Sequence, residues 1–338
     1  MIIVLKPRTS KRDESAVLRE IRRLGYRPHV MRGVARTVIG AIGDERTHHT
    51  LETLSVLPQV ESVTPIQKRF KLVSREAHPA NSTITLPNGC VIGGQELVVM
   101  AGPCSVESEK QLMTTAEAVA KAGAKVLRGG AFKPRTSPYE FQGLGEKGLK
   151  LLAKARKQTG LAIITELLSE CHAEMVAEHA DILQIGTRNA QNFQLLIAAA
   201  KTGKPVLLKR GLAMKIEEWL LAGEYILSND NSGLMFCERG IRTFETYTRN
   251  TLDLSTIPII KQQSHCPIVI DPSQGAGRAD LVIAMCKGAV AMGADALLIE
   301  VHPNPAEAWS DGAQQLTLTG FAKLMQELKP FAAAAGRK

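Results

Sequence analysis

The sequence predicts a protein of class α/β: a (β/α)8 barrel preceded by a small α+β domain of the ferredoxin-like type. From residue 97 onward, eight short apolar runs alternate with polar loops and helical stretches. Continuous apolar runs are typical of parallel strands buried on both faces, and eight such units match the size of a barrel. Before residue 67 the order is strand, helix, strand, strand, helix, strand, which is that of a ferredoxin-like sandwich. For the second part an open doubly wound sheet is the alternative, although it seldom supplies eight even repeats.

The small domain is predicted over residues 1–66, followed by a polar linker over 67–81 and by the barrel over 82–338. Helices are recognised by apolar residues three and four positions apart, and strands by short runs rich in β-branched residues. The predicted elements of the small domain are a strand at 2–6, a helix at 13–24, strands at 27–31 and 37–41, a helix at 45–57 and a strand at 60–66.

A hairpin is predicted at the start of the barrel, because the turn-forming pair Asn88-Gly89 lies between two short apolar runs. This hairpin is expected to cap the bottom of the barrel. The barrel strands are predicted at 97–101, 125–127, 162–165, 182–185, 205–208, 234–237, 268–270 and 296–300. Predicted helices between and after them include 108–122, 145–158, 189–200, 280–292 and 319–329.

Composition argues against several classes of function. No apolar run in the 338 residues is long enough to span a bilayer, so no membrane association is expected. The six cysteines are scattered without a CxxC pair, which favours a reducing, cytoplasmic location over a disulfide framework. The net charge is +9, and residues 1–80 hold 15 Lys and Arg against 8 Asp and Glu. Because this basic segment offers only Tyr26 and Phe70 for base stacking, nucleic-acid binding is not expected.

Cationic side chains follow several of the predicted barrel strands. In a (β/α)8 barrel the chemistry lies at the carboxyl ends of the strands, so these side chains are expected to point into one mouth. Any one of them alone is explained by a salt bridge at the rim. Together they indicate a ligand with several phosphate or carboxylate groups. They are Arg128, Lys133, Arg135 and Thr136 after the second strand, Arg188 after the fourth, Lys209 after the fifth and Arg239 after the sixth.

A second group of strand-end residues suits a metal ion. Cys104 follows the first strand, Glu300 ends the eighth, and Asp311 lies in the loop beyond it. One thiolate and two carboxylates are ligands that a divalent transition metal accepts. A lone buried cysteine is more often a small core residue, but its position after Gly-Pro at a strand end favours a ligand. Gln274 stands at the seventh strand end, where a fourth ligand is expected.

Six motifs of this sequence resemble those of a known family. The strings are MAGPCSVES, GGAFKPRTSPYEFQGLG, IGTRN, LLKRG, CERGIRTFETYTRNTLDL and IDPSQGAGRADLV. Together they resemble the 3-deoxy-D-arabino-heptulosonate 7-phosphate (DAHP) synthases, and more narrowly the subclass with an N-terminal ferredoxin-like domain. The resemblance covers essentially the whole chain. It implies a transferase that condenses phosphoenolpyruvate with erythrose 4-phosphate, the first step of the shikimate pathway of aromatic amino acid biosynthesis.

The resemblance also implies a role for each candidate residue. Arg128, Lys133 and Lys209 are expected to hold the carboxylate of phosphoenolpyruvate, and Arg188 and Arg239 its phosphate. Arg135 and Thr136 are expected to bind the phosphate of erythrose 4-phosphate. Lys133 is expected to be catalytic as well, delivering a proton to the developing alkoxide or managing the water. Cys104, Glu300 and Asp311 match the family's ligands for a divalent ion, whether Mn, Fe, Zn, Co or Mg.

One departure from the family pattern is Gln274, which stands where the family has a histidine. A neutral amide oxygen is a weaker ligand than imidazole for a transition metal. The expectation is therefore a weakened metal affinity at an otherwise intact pocket. A low-activity or non-catalytic paralogue is one alternative. The related 3-deoxy-D-manno-octulosonate 8-phosphate synthase is another, although the string KPRTSP favours the four-carbon aldose phosphate.

The resemblance carries two further expectations about regulation and assembly. The N-terminal domain is expected to mediate feedback inhibition by an aromatic amino acid, with His29 and the strands around it as the candidate effector face. A homotetramer is expected from the habit of the family.

Overall fold

The structure is a computed structural model that describes residues 1–33, 36–43, 51–64 and 69–338 of the chain. Two compact units are present: residues 1–81 with 262–265, and residues 82–261 with 266–338. Among the described residues, no helix combines the length and the apolar composition that crossing a membrane requires.

The first unit is built on a four-stranded antiparallel sheet. Its elements are β1 Ile2–Leu5, α1 Lys11–Arg23, β2 Arg27–Arg32, β3 Thr37–Ile42, a 3-10 helix at Leu51–Val56 and β4 Val60–Thr64. The strand order is β2-β3-β1-β4, in which β3 pairs antiparallel with both β1 and β2. This is the arrangement of a ferredoxin-like sandwich, so the predicted fold of this unit is confirmed.

Helix α1 begins and ends where its sequence provides capping groups. The hydroxyl of Ser10 accepts a hydrogen bond from the Asp13 amide at 3.2 Å, and Asp13 itself lies in the first turn. Arg22 and Arg23 lie in the last turn, where cations are favourable to the helix dipole. The predicted second helix at 45–57 is observed as the 3-10 helix Leu51–Val56, and residues 44–50 lie outside the described residues. The end of the predicted strand at 60–66 lies outside them as well.

The second unit contains a closed barrel of eight parallel strands. The strands run in the order β10-β11-β12-β13-β14-β7-β8-β9 around the barrel, and each neighbouring pair is parallel. The strands are β7 Val98–Gly102, β8 Val126–Arg128, β9 Ala162–Leu167, β10 Ile182–Ile185, β11 Val206–Lys209, β12 Leu234–Glu238, β13 Ile268–Ile270 and β14 Ala296–Glu300. The predicted barrel is confirmed.

Helices connect the barrel strands and complete its outer layer. They are α2 Glu109–Lys121, α3 Glu146–Thr159, α4 Ala173–His179, α5 Phe193–Lys201, α6 Ile216–Leu227, α7 Thr256–Gln263, α8 Pro272–Ala276, α9 Ala279–Ala291 and α10 Leu318–Ala334. Short 3-10 helices lie at Glu170–His172, Thr187–Asn189, Pro305–Glu307 and Gly312–Gln314. Helix α10 continues past the predicted end at residue 329 to Ala334, with Pro330 inside it.

The predicted hairpin closes the amino-terminal end of the barrel. It consists of β5 Ile84–Thr85 and β6 Val91–Ile92, which pair antiparallel. Its apolar side chains belong to the same buried cluster as the first residues of several barrel strands, including Val98, Val126 and Ile182. The opposite, carboxyl-terminal end of the barrel is therefore the end that remains for a binding site.

Gly102 lets the ends of β7 and β8 approach closely. A Cβ atom at this position would lie 2.1 Å from the carbonyl oxygen of Arg128, far inside the contact distance of carbon and oxygen. A side chain at the last residue of β7 would collide with the backbone of β8, so this position is restricted to glycine.

Candidate active site

A cavity of about 330 Å³ opens at the carboxyl ends of the barrel strands. Its lining residues lie near the ends of strands β9, β10 and β11 or in the segments that follow β8, β10, β11, β12, β13 and β14. Among the described residues that line it, seven are cationic: Lys133, Arg135, Arg188, Lys209, Arg239, Arg242 and Arg249. Three are carboxylic: Glu140, Glu166 and Asp311. The excess of positive charge suits a ligand with several negative groups.

Two of the predicted substrate-binding cations lie in buried ion pairs. Arg128 ends β8 with its Nη1 atom 2.9 Å from Glu300 Oε1, and the Nζ atom of Lys209 lies 2.6 Å from Asp271 Oδ2. The Nε atom of Arg128 is buried and has no hydrogen-bond partner among the residues that the structure describes. Its guanidinium therefore keeps one unused donor beside the pair.

The remaining predicted side chains surround the cavity. Arg135 donates from Nε to Glu140 at 2.7 Å. Arg188 donates from Nη1 to the carbonyl of Pro134 at 2.8 Å and from Nη2 to the hydroxyl of Thr136 at 3.4 Å. The predicted substrate residues thus converge, with Arg128 buried beside the cavity and the others lining it. Three of the cations also have a carboxylate partner, namely Arg128, Lys209 and Arg135.

Lys133 connects the cation group to the predicted metal ligands. Its Nζ atom lies 3.0 Å from Cys104 Sγ and 3.2 Å from the Cys104 carbonyl oxygen. Burial alone would lower the pKa of Lys133, but the neighbouring Cys104 and Glu300 outweigh it and raise that pKa. The side chain is therefore an ammonium at neutral pH.

The predicted metal ligands Cys104, Glu300 and Asp311 form one cluster. Their ligand atoms all lie within 4.8 Å of one another, and the Cys104 thiol donates to Asp311 Oδ2 at 3.4 Å. Burial, together with Glu300, raises the pKa of Cys104 to about 11. Burial opposes ionisation of Asp311, yet Arg249 and Lys133 hold its pKa below the usual value. Asp311 has a φ of 50°, an uncommon conformation for a non-glycine residue that often marks a functional position.

This donor set fits a divalent metal ion. One thiol and two carboxylates reach the same point from the ends of β7 and β14 and from the loop after β14. A divalent cation there would offset the mutual repulsion of the carboxylates and would deprotonate the thiol. Among the His, Cys, Asp and Glu side chains of the described residues, this cluster is the group of three whose atoms lie close enough together to hold a metal ion.

Gln274, the predicted fourth ligand, lines the cavity but contacts a different group. Its Oε1 atom accepts hydrogen bonds from Nε and Nη2 of Arg239, both at 3.2 Å. Burial lowers the pKa of Arg239, although Asp271 opposes this. The role of Gln274 as a metal ligand stays a prediction.

Three further residues of the site were missed as functional residues by sequence reasoning. Asp271 directly follows β13 and pairs with Lys209, and its place at a strand end was the available signal. Arg249 donates to Asp311 at 3.3 Å and to Gln314 at 3.0 Å. Gln314 in turn donates from Nε2 to Glu300 at 2.7 Å. Arg249 lies in an irregular segment and Gln314 ends the three-residue 3-10 helix Gly312–Gln314, and neither is long enough or regular enough for periodicity to offer a signal.

Comparison with protein families assigns both parts of the chain. Residues 78–333 match the family model described as the DAHP synthetase I family. Residues 1–68 match the model of the DAHP synthase ferredoxin-like domain.

Known relatives and solved structures agree with these matches. The chain is 50% identical over 338 residues to the phospho-2-dehydro-3-deoxyheptonate aldolase of Thermotoga maritima, covering 100% of this chain and 99% of the relative. A 2-dehydro-3-deoxyphosphooctonate aldolase of Syntrophotalea carbinolica is 31% identical over 254 residues, covering 70% of this chain and 91% of the relative.

Among solved structures, the chain is similar to the Thermotoga maritima phospho-2-dehydro-3-deoxyheptonate aldolase (DAHP synthase). The TM-score is 0.79 at 50% sequence identity, with 100% of this chain and 98% of that chain covered. A truncated form of the Thermotoga enzyme matches with a TM-score of 0.75, over 80% of this chain and 98% of that chain. From the two family matches and the full-length relative, the chain belongs to the DAHP synthetase I family.

Proposed function

We propose that this chain carries out the reaction of its family, the condensation of phosphoenolpyruvate with erythrose 4-phosphate to DAHP and phosphate, in the cavity at the carboxyl end of its barrel. The observation that carries the proposal is the excess of cations in this cavity beside the Cys104, Glu300 and Asp311 cluster. Both substrates are phosphorylated, and they repel each other in solution. The cavity would offset that repulsion and hold the reacting carbons together.

Phosphoenolpyruvate would lie among the cations of the cavity, with one set of them at its carboxylate and another at its phosphate. Arg128, Lys133 and Lys209 are assigned to its carboxylate, supported by the unused Nε donor of Arg128. Arg188 and Arg239 are assigned to its phosphate. The bond between Arg188 and Thr136 supports a neighbouring subsite, where Arg135 and Thr136 would bind the phosphate of erythrose 4-phosphate.

The Cys104, Glu300 and Asp311 side chains are assigned to a divalent metal ion. When bound, such an ion supplies Lewis-acid polarisation of the aldehyde. Gln274 is left out of this ligand set, because its amide oxygen accepts two hydrogen bonds from Arg239.

Lys133 would act as the proton donor of the reaction. The enol carbon of phosphoenolpyruvate attacks the aldehyde carbon, which forms the new carbon–carbon bond and leaves an alkoxide. The Lys133 ammonium, 3.0 Å from the sulfur of Cys104, would protonate that alkoxide. Water then adds to the neighbouring cationic carbon, which still carries the phosphate oxygen, and gives up a proton. The resulting tetrahedral carbon expels phosphate by cleavage of its bond to that oxygen, which leaves the ketone of DAHP.

The N-terminal unit is assigned a regulatory role. Its match to the DAHP synthase ferredoxin-like domain supports feedback control, and an aromatic amino acid is the proposed effector. His29 lies on β2 and pairs in register with Gly40 of β3, which places it on the sheet that would form the effector face. The homotetramer expected from the resemblance remains a prediction.

The test is phosphate release from phosphoenolpyruvate and erythrose 4-phosphate by EDTA-treated protein, with and without added Mn²⁺. Turnover that requires both substrates and the metal is expected. The Cys104→Ala variant should lose it, whereas Cys286→Ala, which removes another buried thiol, should retain it. Metal-independent turnover would contradict the assigned ligands. A preference for arabinose 5-phosphate over erythrose 4-phosphate would contradict the assigned substrate.

A further inference from the structure

Arg239 is a buried guanidinium whose orientation is set by a neutral partner. Only 5% of the residue is exposed, at the point where β12 ends. It donates from Nε and Nη2 to Gln274 Oε1 at 3.2 Å, and from Nη1 to the carbonyl of Gly240 at 3.4 Å. In the part of the chain that the structure describes, these are its hydrogen-bond acceptors, and none is a carboxylate. The charge of Arg239 is thus positioned without being neutralised.

The backbone of Gln274 is itself held by two hydrogen bonds. Its N–H donates to Asp271 Oδ1 at 2.9 Å in the first turn of α8, and its carbonyl accepts from the Asn250 side chain at 3.0 Å. The other oxygen of Asp271 accepts from Lys209 at 2.6 Å. Gln274 therefore stands between two cations of the cavity, with its backbone tied to the partner of Lys209 and its side chain tied to Arg239.

The hydrogen-bonding capacity of the amide decides between two roles for Gln274. A carbonyl oxygen has two lone pairs, and the two donors of Arg239 occupy both. A divalent ion at the same oxygen would have to displace them and would lie next to a guanidinium charge, which is repulsive. In the described part of the chain, Nη1 and Nη2 of Arg239 each donate one hydrogen bond, to Gly240 and Gln274 respectively, so the fork of these two nitrogens keeps a second N–H group on each. Such a fork suits the oxygens of a phosphate.

We propose that Gln274 is a positioning residue that holds Arg239 for the phosphate of phosphoenolpyruvate, and that it is not a metal ligand. This inference rests on the proposed function, since it takes Arg239 to be a phosphate-binding residue. The protein ligands of the metal are then Cys104, Glu300 and Asp311 alone. Where the family pattern has a histidine, this chain uses the position to orient the substrate site.

The test is isothermal titration of the metal-free full-length chain with Mn²⁺ and, separately, with phosphoenolpyruvate. The variant is Gln274→Met, which keeps the length of the side chain and removes its acceptor. Its dissociation constant for Mn²⁺ should stay within about twofold of the unsubstituted chain. Its dissociation constant for phosphoenolpyruvate should rise about tenfold, as expected when an orienting charge-assisted hydrogen bond is lost. In turnover, KM for phosphoenolpyruvate should rise while KM for erythrose 4-phosphate stays unchanged.

Gln326→Met is the matched control, because Gln326 is an exposed residue of α10 outside the cavity. It should change neither titration. Weaker Mn²⁺ binding by Gln274→Met would overturn the inference, and so would unchanged phosphoenolpyruvate binding. A chain without substitutions that binds no phosphoenolpyruvate would instead contradict the proposed function, so the two failures are distinguishable.

Discussion

Lys209 and Asp271 form an ion pair that is almost completely buried at the base of the cavity. Their side chains are 2% and 0% exposed, and the two charged atoms lie 2.6 Å apart. Burial would raise the pKa of Asp271, but Lys209 and Arg128 outweigh it and hold that pKa below the usual value. Removing one partner of a buried pair costs about 3–5 kcal/mol, because the other charge is left uncompensated. The pair therefore fixes the position of the Lys209 cation, to which the carboxylate of phosphoenolpyruvate is assigned in the proposed function.

The Asp271→Asn variant tests the negative charge of Asp271 while leaving the other side chains of the site unchanged. Asparagine retains an oxygen that can accept the N–H of Gln274, while the charge next to Lys209 is lost. The free energy of unfolding should fall by about 3 kcal/mol. Bound phosphoenolpyruvate should raise the free energy of unfolding of this variant by more than it raises that of the unsubstituted chain, because its carboxylate replaces the lost charge next to Lys209. Urea unfolding with and without phosphoenolpyruvate measures both effects.

Asp295→Asn is the control for this variant. Asp295 is also buried and pairs with Lys261 and Arg337, and it accepts from the amide of Ile268 at the start of β13. Its loss should destabilise the chain to a similar extent without any extra recovery by phosphoenolpyruvate. Equal recovery in both variants would show that charge compensation at Lys209 is not the cause.

The barrel strands were the most predictable elements, because parallel strands buried on both faces form continuous apolar runs. Strands β10, β13 and β14 have the predicted limits, and β9 extends furthest beyond its prediction. Since the site lies at the ends of these strands, most of its cations could be predicted with them. The partners of those cations could not. Lys209 and Asp271 are 62 positions apart in the sequence, and only the closed barrel brings them together.

The predicted helix at 45–57 shows a second limit of sequence patterns. Its apolar residues Leu51 and Leu54 are buried, as a helix of that phase requires, but the described part is a 3-10 helix. Residues three apart lie on one face in both kinds of helix. Apolar spacing over a short segment therefore predicts the buried face better than the type of helix.

The hairpin at the amino-terminal end of the barrel is an element whose contribution to stability can be tested. Ile92 is fully buried in the cluster that fills this end, whereas its neighbour Val91 is only partly buried. Ile92→Ala should lower the free energy of unfolding by about 2–5 kcal/mol, as expected for a large-to-small change in a core. Val91→Ala should cost about 1 kcal/mol or less. Denaturant titration compares the two variants, and equal losses in the free energy of unfolding would contradict the contribution of the buried Ile92 side chain to stability.

The two units have separate hydrophobic cores. The core of the first contains Ile3, Val17, Ile21 and Ile39, and the barrel core contains the cluster around Ile92. Much of the net charge of +9 also belongs to the first unit, because residues 1–80 hold 15 Lys and Arg against 8 Asp and Glu. Separate cores allow one unit to regulate the chemistry of the other without sharing its packing.

Deleting residues 1–80 tests whether regulation depends on the first unit. The barrel keeps its own core and all the candidate site residues, so phosphate release should continue with kcat within about twofold of the full chain. Inhibition by phenylalanine or tyrosine, measured as a dose response in the same assay, should disappear. The point variant His29→Ala should weaken inhibition of the full chain without changing kcat. Inhibition that survives the deletion would place the effector site in the barrel, and a full chain insensitive to both amino acids would refute feedback control by either.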